Sequence, residues 1–279
     1  MAVPDHADGD WPECSPHITL NLSHIWAAST MLYSTTENVF FVVGVPVLIV
    51  IGLLTNAAFI FTVIRVKSMH TITNAYLINV SFADLMFIIV GAGLYLFNYL
   101  SSPVRFDVVY KSWVGCTVAF GITYIMYSTS LVLITLVCVE RYCAICRPLQ
   151  LLRVSGKNRT MKLILLSWLI GIMLAACVVP RYGGYLTYCV IWPSDESFES
   201  FPHMINFCVA AHSDVFLFSE ALNIIPFTIS LVSSVFMYGH IISTLSNRSS
   251  EIHADVKQAS SFSQIQQVRN QVARSSTGH

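Results

Sequence analysis

Five long runs of this sequence carry almost no charge: Phe40 to Ile64, Ala75 to Phe97, Thr117 to Val139, Leu163 to Val179 and Ala221 to Leu245. They are 25, 23, 23, 17 and 25 residues long. At about 1.5 Å per helical residue each can cross a hydrocarbon core of about 30 Å, the fourth with help from its flanks. Lipid offers no partner to a free backbone N–H, and none of the runs alternates as a barrel strand does, so helix is the spanning form that remains. The sequence therefore predicts an all-α membrane protein, a transmembrane helix bundle with helices near 39–66, 74–100, 114–142, 161–179 and 216–245. Composition agrees, with 55% apolar and 11% charged residues, against roughly 45–50% and 25% in soluble domains. Fifteen acidic and fifteen basic side chains cancel, so no global field draws the chain to nucleic acid.

Charge placement predicts the orientation. With the tail 1–38 outside, twelve basic residues lie in the cytoplasm, and only Arg105, Lys111 and Arg181 lie outside. That is the positive-inside bias expected of a plasma-membrane protein with its N-terminus extracellular. The tail lacks a basic segment followed by an apolar run, so no cleaved signal peptide is expected. Of the N-x-S/T sequons only Asn21 falls on the outer side, which makes it the expected glycosylation site. The stretch 246–279 is Ser- and Gln-rich at its start and reads as a cytoplasmic loop or tail.

Asp84 is the ionisable side chain deep in a span, where a charge must be compensated. It reads either as a protonated structural acid or as a cation or water site, with Asn56 and Ser130 as available partners. In the third span Thr123, Tyr127, Ser130, Ile134, Val137 and Arg141 share one partly polar helical face, which should turn to the bundle interior. Pro46 and Pro226 interrupt backbone bonding within spans. Cys14, Cys116, Cys189 and Cys208 lie on the oxidising side. Gly183-Gly184 reads as a hairpin turn, and the expected disulfide joins Cys116 to Cys189, with Cys208 as competitor and the remaining cysteine free to bond Cys14. No Cys/His spacing suggests zinc.

Taken in order, Gly52-x-x-x-Asn56, Asn79-x-Ser81-x-Ala83-Asp84-Leu85, Trp113-x-x-Cys116, Glu140-Arg141-Tyr142, Pro148-Leu149, Trp168 and Pro226 resemble a rhodopsin-like (class A) G-protein-coupled receptor over Gly52 to Leu245. The resemblance implies an extracellular ligand site that includes Trp113, Thr123, Tyr124 and Tyr127. It implies that Arg141, held by Glu140 when inactive, is freed with Tyr142, Pro148 and Leu149 toward a heterotrimeric G protein. Asp84 and Ser130 would line an allosteric sodium pocket, and no other cofactor is implied. Amine receptors of the family carry aspartate where this chain has Thr123, which disfavours an amine, while the hairpin-like Arg181 to Cys189 loop, the polar stretch to Cys208 and the acidic outer surface resemble neuropeptide receptors, so the expected ligand is a neuropeptide.

Two departures stand out. Ser234 occupies the place of a tyrosine common in the fifth helix, and Tyr238 lies one turn later. The chain also stops after five helices, which reads as a fragment or truncated form lacking the sixth and seventh helices of a seven-helix receptor, the alternative being a non-signalling truncated form that modulates the full-length receptor. A transporter or channel would call for inverted repeats or several lining charges, and an enzyme for clustered nucleophiles, bases or metal ligands. Neither pattern is present, so the chain is read as a receptor and not as an enzyme.

Overall fold

A computed structural model of the chain describes residues 19–148, 156–210 and 215–276. Among them five helices are long and apolar enough to cross a membrane. Helix α1 (Thr35–Arg65) opens with a capping box, in which the Ser34 hydroxyl accepts from the Glu37 amide and the Glu37 carboxylate accepts from the Ser34 amide. It loosens into a π-helical turn over Phe40–Gly44, just before Pro46, which has no N–H to contribute. Helix α2 (Ile72–Ser101) is capped by Thr71 and has its own π-helical turn over Phe87–Ala92. Helix α3 (Trp113–Cys146) is capped by Ser112, and α4 (Lys157–Val178) runs on into a 3-10 turn over Val179–Tyr182.

Helix α5 (Val215–Ser276) runs on through most of the stretch 246–279 read as a cytoplasmic loop or tail, which is therefore helical as far as Ser276. No Gly or Pro occurs between His240 and Ser276, and Gln, Lys and Arg are good helix formers, so nothing in the chain stops the helix where it leaves the apolar run.

The bundle is organised around α3, which packs against α2, α4 and α5. Tyr76 and Val80 of α2, Leu133 and Val137 of α3 and Ile164 of α4 form one buried cluster, with Trp168 against it. Trp168 Nε1 donates to Asn79 Oδ1 at 3.1 Å, which ties α4 to α2. The α3–α4 approach depends on Gly171, since a Cβ there would lie 2.1 Å from Thr129 Oγ1 and 3.1 Å from the Thr129 backbone nitrogen. Helices α3 and α5 meet through small polar groups: Thr135 with Ser230 at 2.9 Å, the Cys138 thiol donating to Ser234 at 3.4 Å, and Cys146 with Thr244 at 3.4 Å. In lipid, where apolar surface gains nothing by pairing with apolar surface, close backbone approach and such hydrogen bonds hold helices together.

At the end of the bundle where α3 begins, called the outer end below, lies a three-stranded sheet of β1 (Thr19–Asn21), β2 (Gly184–Ile191) and β3 (Met204–Val209), in the order β1-β2-β3. β1 pairs parallel with β2, and β2 pairs antiparallel with β3. Leu22, Ala28, Val104, Val190 and Ile205 form the core beneath it. This sheet corrects two expectations. Gly184 begins β2 opposite Val209, so the hairpin turns in the segment 192–203 and not at Gly183-Gly184. The disulfide from Cys116 runs to Cys208, with Cα atoms 5.8 Å apart, and not to Cys189. Register explains it: Cys208 pairs with Tyr185 near the base of the hairpin, while Cys189 lies four residues further along β2, about 13 Å away at strand rise. Cys189 is itself disulfide-bonded, and the anticipated partner Cys14 lies outside the described residues.

Two measurements check this packing. Gly171→Val should destabilise the bundle by about 1–3 kcal/mol through overpacking against Thr129, seen as a lower apparent Tm in detergent; an unchanged Tm would mean that the helices do not approach closely there. Peptide mapping without reduction should recover Cys116 linked to Cys208, and Cys189→Ser should leave that link in place.

Candidate ligand-binding site

The outer half of the bundle encloses a cavity of about 290 Å³ between α2, α3, α5 and the end of α4. Thr123, Tyr124 and Tyr127 of α3 line it, the first and last of them from the polar face named in the sequence. Phe87 and Tyr95 enter from α2, and Phe120 stacks on Tyr182 with ring centroids 3.8 Å apart and planes 9° from parallel. Asn223 of α5 donates its side-chain amide to the Tyr124 hydroxyl at 2.7 Å. Among the described residues no charged side chain lines this cavity. Beside it Arg181 pairs with Glu220, joining the end of α4 to α5, and the same guanidinium lies 5.7 Å from the centre of the Tyr182 ring.

Above, and sharing Tyr95, Phe120 and Tyr182, an outer vestibule of about 410 Å³ is more polar. Glu37 and Arg105 form an ion pair at its edge, and Asp107 accepts from the Asn206 amide of β3 at 2.9 Å. Burial, reinforced by the Glu37 and Asp107 carboxylates, pushes the Tyr33 phenol above its ordinary pKa, so it stays a neutral donor. Trp113, expected to line the ligand site, is the first residue of α3, is 60% exposed and lies outside both cavities.

One turn of α3 below Tyr127, Ser130 donates to Asp84 Oδ1 at 2.7 Å. Asn56, the other partner considered for that carboxylate, instead donates to Gly52 O in its own helix at 2.9 Å. A carboxylate and a hydroxyl are the hard oxygen donors that an alkali or alkaline-earth cation takes, so the pair fits the implied sodium chemistry.

At the other end of α3 the arrangement differs from the resemblance. Glu140 Oε1 accepts from Thr73 of α2 at 2.9 Å, and its second oxygen is buried without a partner. Among the described residues the ion pairs are Arg105–Glu37 and Arg181–Glu220, so Glu140 does not hold Arg141, which is exposed. A hydroxyl across the α2–α3 contact outcompetes a guanidinium on the same helix, because consecutive residues point some 100° apart. Ser234 bonds Cys138, while Tyr238 lies beside the Cys138 thiol and within electrostatic reach of Arg141. Tyr142 meets His240 edge-on at 6.2 Å. Pro148 is exposed just beyond α3, and Leu149 lies outside the described residues. Asn21 is exposed on β1, its side chain accepting from the Ser23 amide at 3.0 Å.

The sequence reading missed Phe87, Tyr95, Phe120, Tyr182 and Asn223 as cavity residues. One signal was present, since Glu220 is an acid directly before the fifth apolar run and Arg181 one of only three outer basic residues. Ser130→Ala should lower stability by about 1–3 kcal/mol by leaving the Asp84 carboxyl without its donor, read as a drop in apparent Tm; no drop would show that Asp84 finds another partner.

Comparison with known proteins places this geometry. The family model "7 transmembrane receptor (rhodopsin family)" matches residues 55–275. The thyrotropin-releasing hormone receptor of Gallus gallus is 34% identical over 122 residues, covering 42% of this chain and 29% of that receptor's length. Human (Homo sapiens) melanopsin is 26% identical over 189 residues, covering 62% of this chain and 36% of melanopsin. The C-C chemokine receptor type 8 of Mus musculus is 32% identical over 127 residues, covering 44% and 33%.

Proposed function

The chain belongs to the rhodopsin family of seven-transmembrane receptors, and from that premise we propose that it senses an extracellular neuropeptide through its outer cavities and serves signalling to a heterotrimeric G protein. The observation that carries this reading is the stacked arrangement of an uncharged aromatic cavity beneath a polar vestibule. A peptide presents both chemistries, with apolar or amide groups for the deep end and backbone and charged groups for the mouth. Two of the relatives are named for a peptide hormone and a chemokine, which supports the same ligand class.

In this reading the protein is a multi-pass component of the plasma membrane with its N-terminus and Asn21 outside, and Asn21 carries a glycan. Arg141, Tyr142, Pro148 and Leu149 face the G protein, with Glu140 held by Thr73 until activation. Asp84 and Ser130 would hold an allosteric sodium ion, which would supply a fixed positive charge between the ligand cavity and the inner end of α3.

The test is binding of a panel of short neuropeptides, thyrotropin-releasing hormone included, to the purified chain in nanodiscs. Asn223→Ala and Tyr124→Phe should each weaken binding about five- to tenfold, the effect of one lost hydrogen bond of about 1–1.5 kcal/mol. Peptides that bind neither protein nor variant selectively, across the whole panel, would overturn the ligand class. Asn21→Gln should abolish a glycosidase-sensitive mass shift in cells; persistence of the shift would overturn the orientation.

A further inference from the structure

Among the described residues Cys138, Cys143, Cys146 and Cys177 carry free thiols. Cys143 and Cys146 form a Cys-x-x-Cys pair in the last turn of α3, and both are half-buried. On an α-helix, residues three apart bring their Cα atoms to about 5 Å, inside the range of about 4.4–6.8 Å that a disulfide spans. Their Cβ atoms, about 5–6 Å apart in a regular helix, must approach by roughly 1–1.5 Å to bond. The last turn can yield that much, because the chain leaves helical geometry at the next residue, Arg147, with φ −136° and ψ 56°. Cys138 is five positions from Cys143, about 9 Å away on a helix and out of reach, and Cys177 lies near the outer end of α4.

The pair sits where α3 meets α5. The Cys146 thiol lies 3.4 Å from the Thr244 hydroxyl and donates to His240 O at 4.0 Å, so in its reduced form it ties the inner end of α3 to α5. Beside it the Arg248 guanidinium donates to Ile145 O at 3.0 Å, and Arg147 follows directly in the chain. Residues 141–159 hold Arg141, Arg147, Arg153, Lys157 and Arg159 and no acid. Accessible thiols among positive charges are the ones that peroxides oxidise. A disulfide on the reducing side of a membrane is transient rather than structural, which suits a pair whose thiols are free in this structure.

We propose that Cys143 and Cys146 are a reversible oxidation site, a dithiol that a hydroperoxide closes to a disulfide within the last turn of α3. The hydroperoxide gives one oxygen to one thiol: its O–O bond breaks, an S–O bond forms, the sulfur loses two electrons, and the rest of the peroxide leaves as an alcohol, or as water from hydrogen peroxide. The second thiol attacks that sulfur, an S–S bond forms, the S–O bond breaks, and the oxygen leaves as water with the second thiol's proton. A dithiol reductant returns two electrons and two protons. Closing the bridge removes the Cys146 thiol hydrogen and draws its sulfur toward Cys143, so the oxidised chain loses a contact between α3 and α5 one turn from Tyr142. Placement of the pair on the cytosolic side rests on the orientation proposed above; its geometry does not.

The test uses the full chain in nanodiscs, mildly reduced and then exposed to hydrogen peroxide, with peptide mapping under non-reducing conditions. Both faces of a disc are open to peroxide, so the outcome is independent of orientation and of ligand sensing. The tryptic peptide from Tyr142 to Arg153 carries both thiols. After peroxide it should be lighter by two hydrogen atoms and resist thiol alkylation, and dithiothreitol should restore both properties. Amide hydrogen exchange over 240–244 should become about two- to fivefold faster in the oxidised chain, the effect of one weak hydrogen bond. Cys143→Ser should abolish both responses. Cys146→Ser, whose hydroxyl can still pair with Thr244, should keep the slow exchange and no longer respond to peroxide, while Cys177→Ser should form the bridge as the parent chain does. Addition of oxygen to either sulfur without loss of hydrogen, a bridge to Cys138, exchange unchanged on oxidation, or thiols already blocked by an acyl group in the chain isolated from cells would each overturn the proposal.

Discussion

Everything in this molecule follows from the absence of water in the hydrocarbon core. A backbone amide placed there must find its acceptor within its own helix, so the five apolar runs become helices before any packing is considered. The same solvent withdraws the usual reward for hiding apolar surface, and α1 accordingly leaves Val42, Leu48, Leu54 and Phe61 to the lipid at 60%, 61%, 66% and 63% exposure. What holds the bundle is then a small set of contacts that lipid cannot imitate: the Gly171–Thr129 approach, the Trp168–Asn79 hydrogen bond and the hydroxyl and thiol pairs between α3 and α5.

Helix α3 draws these contacts together, and its length gives it a role at every level. Its outer end is anchored to β3 by the Cys116–Cys208 disulfide, its next turns line the aromatic cavity, Ser130 meets Asp84, and Glu140 meets Thr73. The disulfide matters for the cavity as well as for the loop, because it places the hairpin over the mouth, where Phe207 and Cys208 join the vestibule. A disturbance of Tyr124 or Tyr127 therefore acts on the same rod that carries Arg141 to the inner surface. Whether such a disturbance reaches the inner end is a matter of rigid-body freedom, and the polar pairs along α5 are the contacts that would have to yield first.

Much of this was legible in the residues themselves. The spans, the membrane class and the α3 face of Thr123, Tyr127 and Ser130 depend on local periodicity and on transfer energies, both of which a linear chain displays. That Asp84 needs a donor was legible, because an intramembrane carboxyl must be compensated, but the choice of Ser130 over Asn56 was not. The disulfide was not, because Cys189 and Cys208 are equally plausible until the β2–β3 register places one near the base of the hairpin and the other farther along. The Glu140–Thr73 bond was hidden for the same reason: adjacent residues invite pairing on paper, yet they diverge around a helix, and the partner that wins comes from sixty-seven positions away.

By itself, then, the amino-acid order determined that the chain crosses the bilayer five times as helices, which side is basic and which helical faces are polar, since these depend only on each segment's exchange with lipid or water. Tertiary structure alone decided which cysteine bonds Cys116, that Phe120 and Tyr182 stack to form the cavity wall, that Arg181 and Glu220 neutralise one another, and that Glu140 turns to α2. Those outcomes depend on distances between segments far apart in the chain, and no local preference encodes a distance.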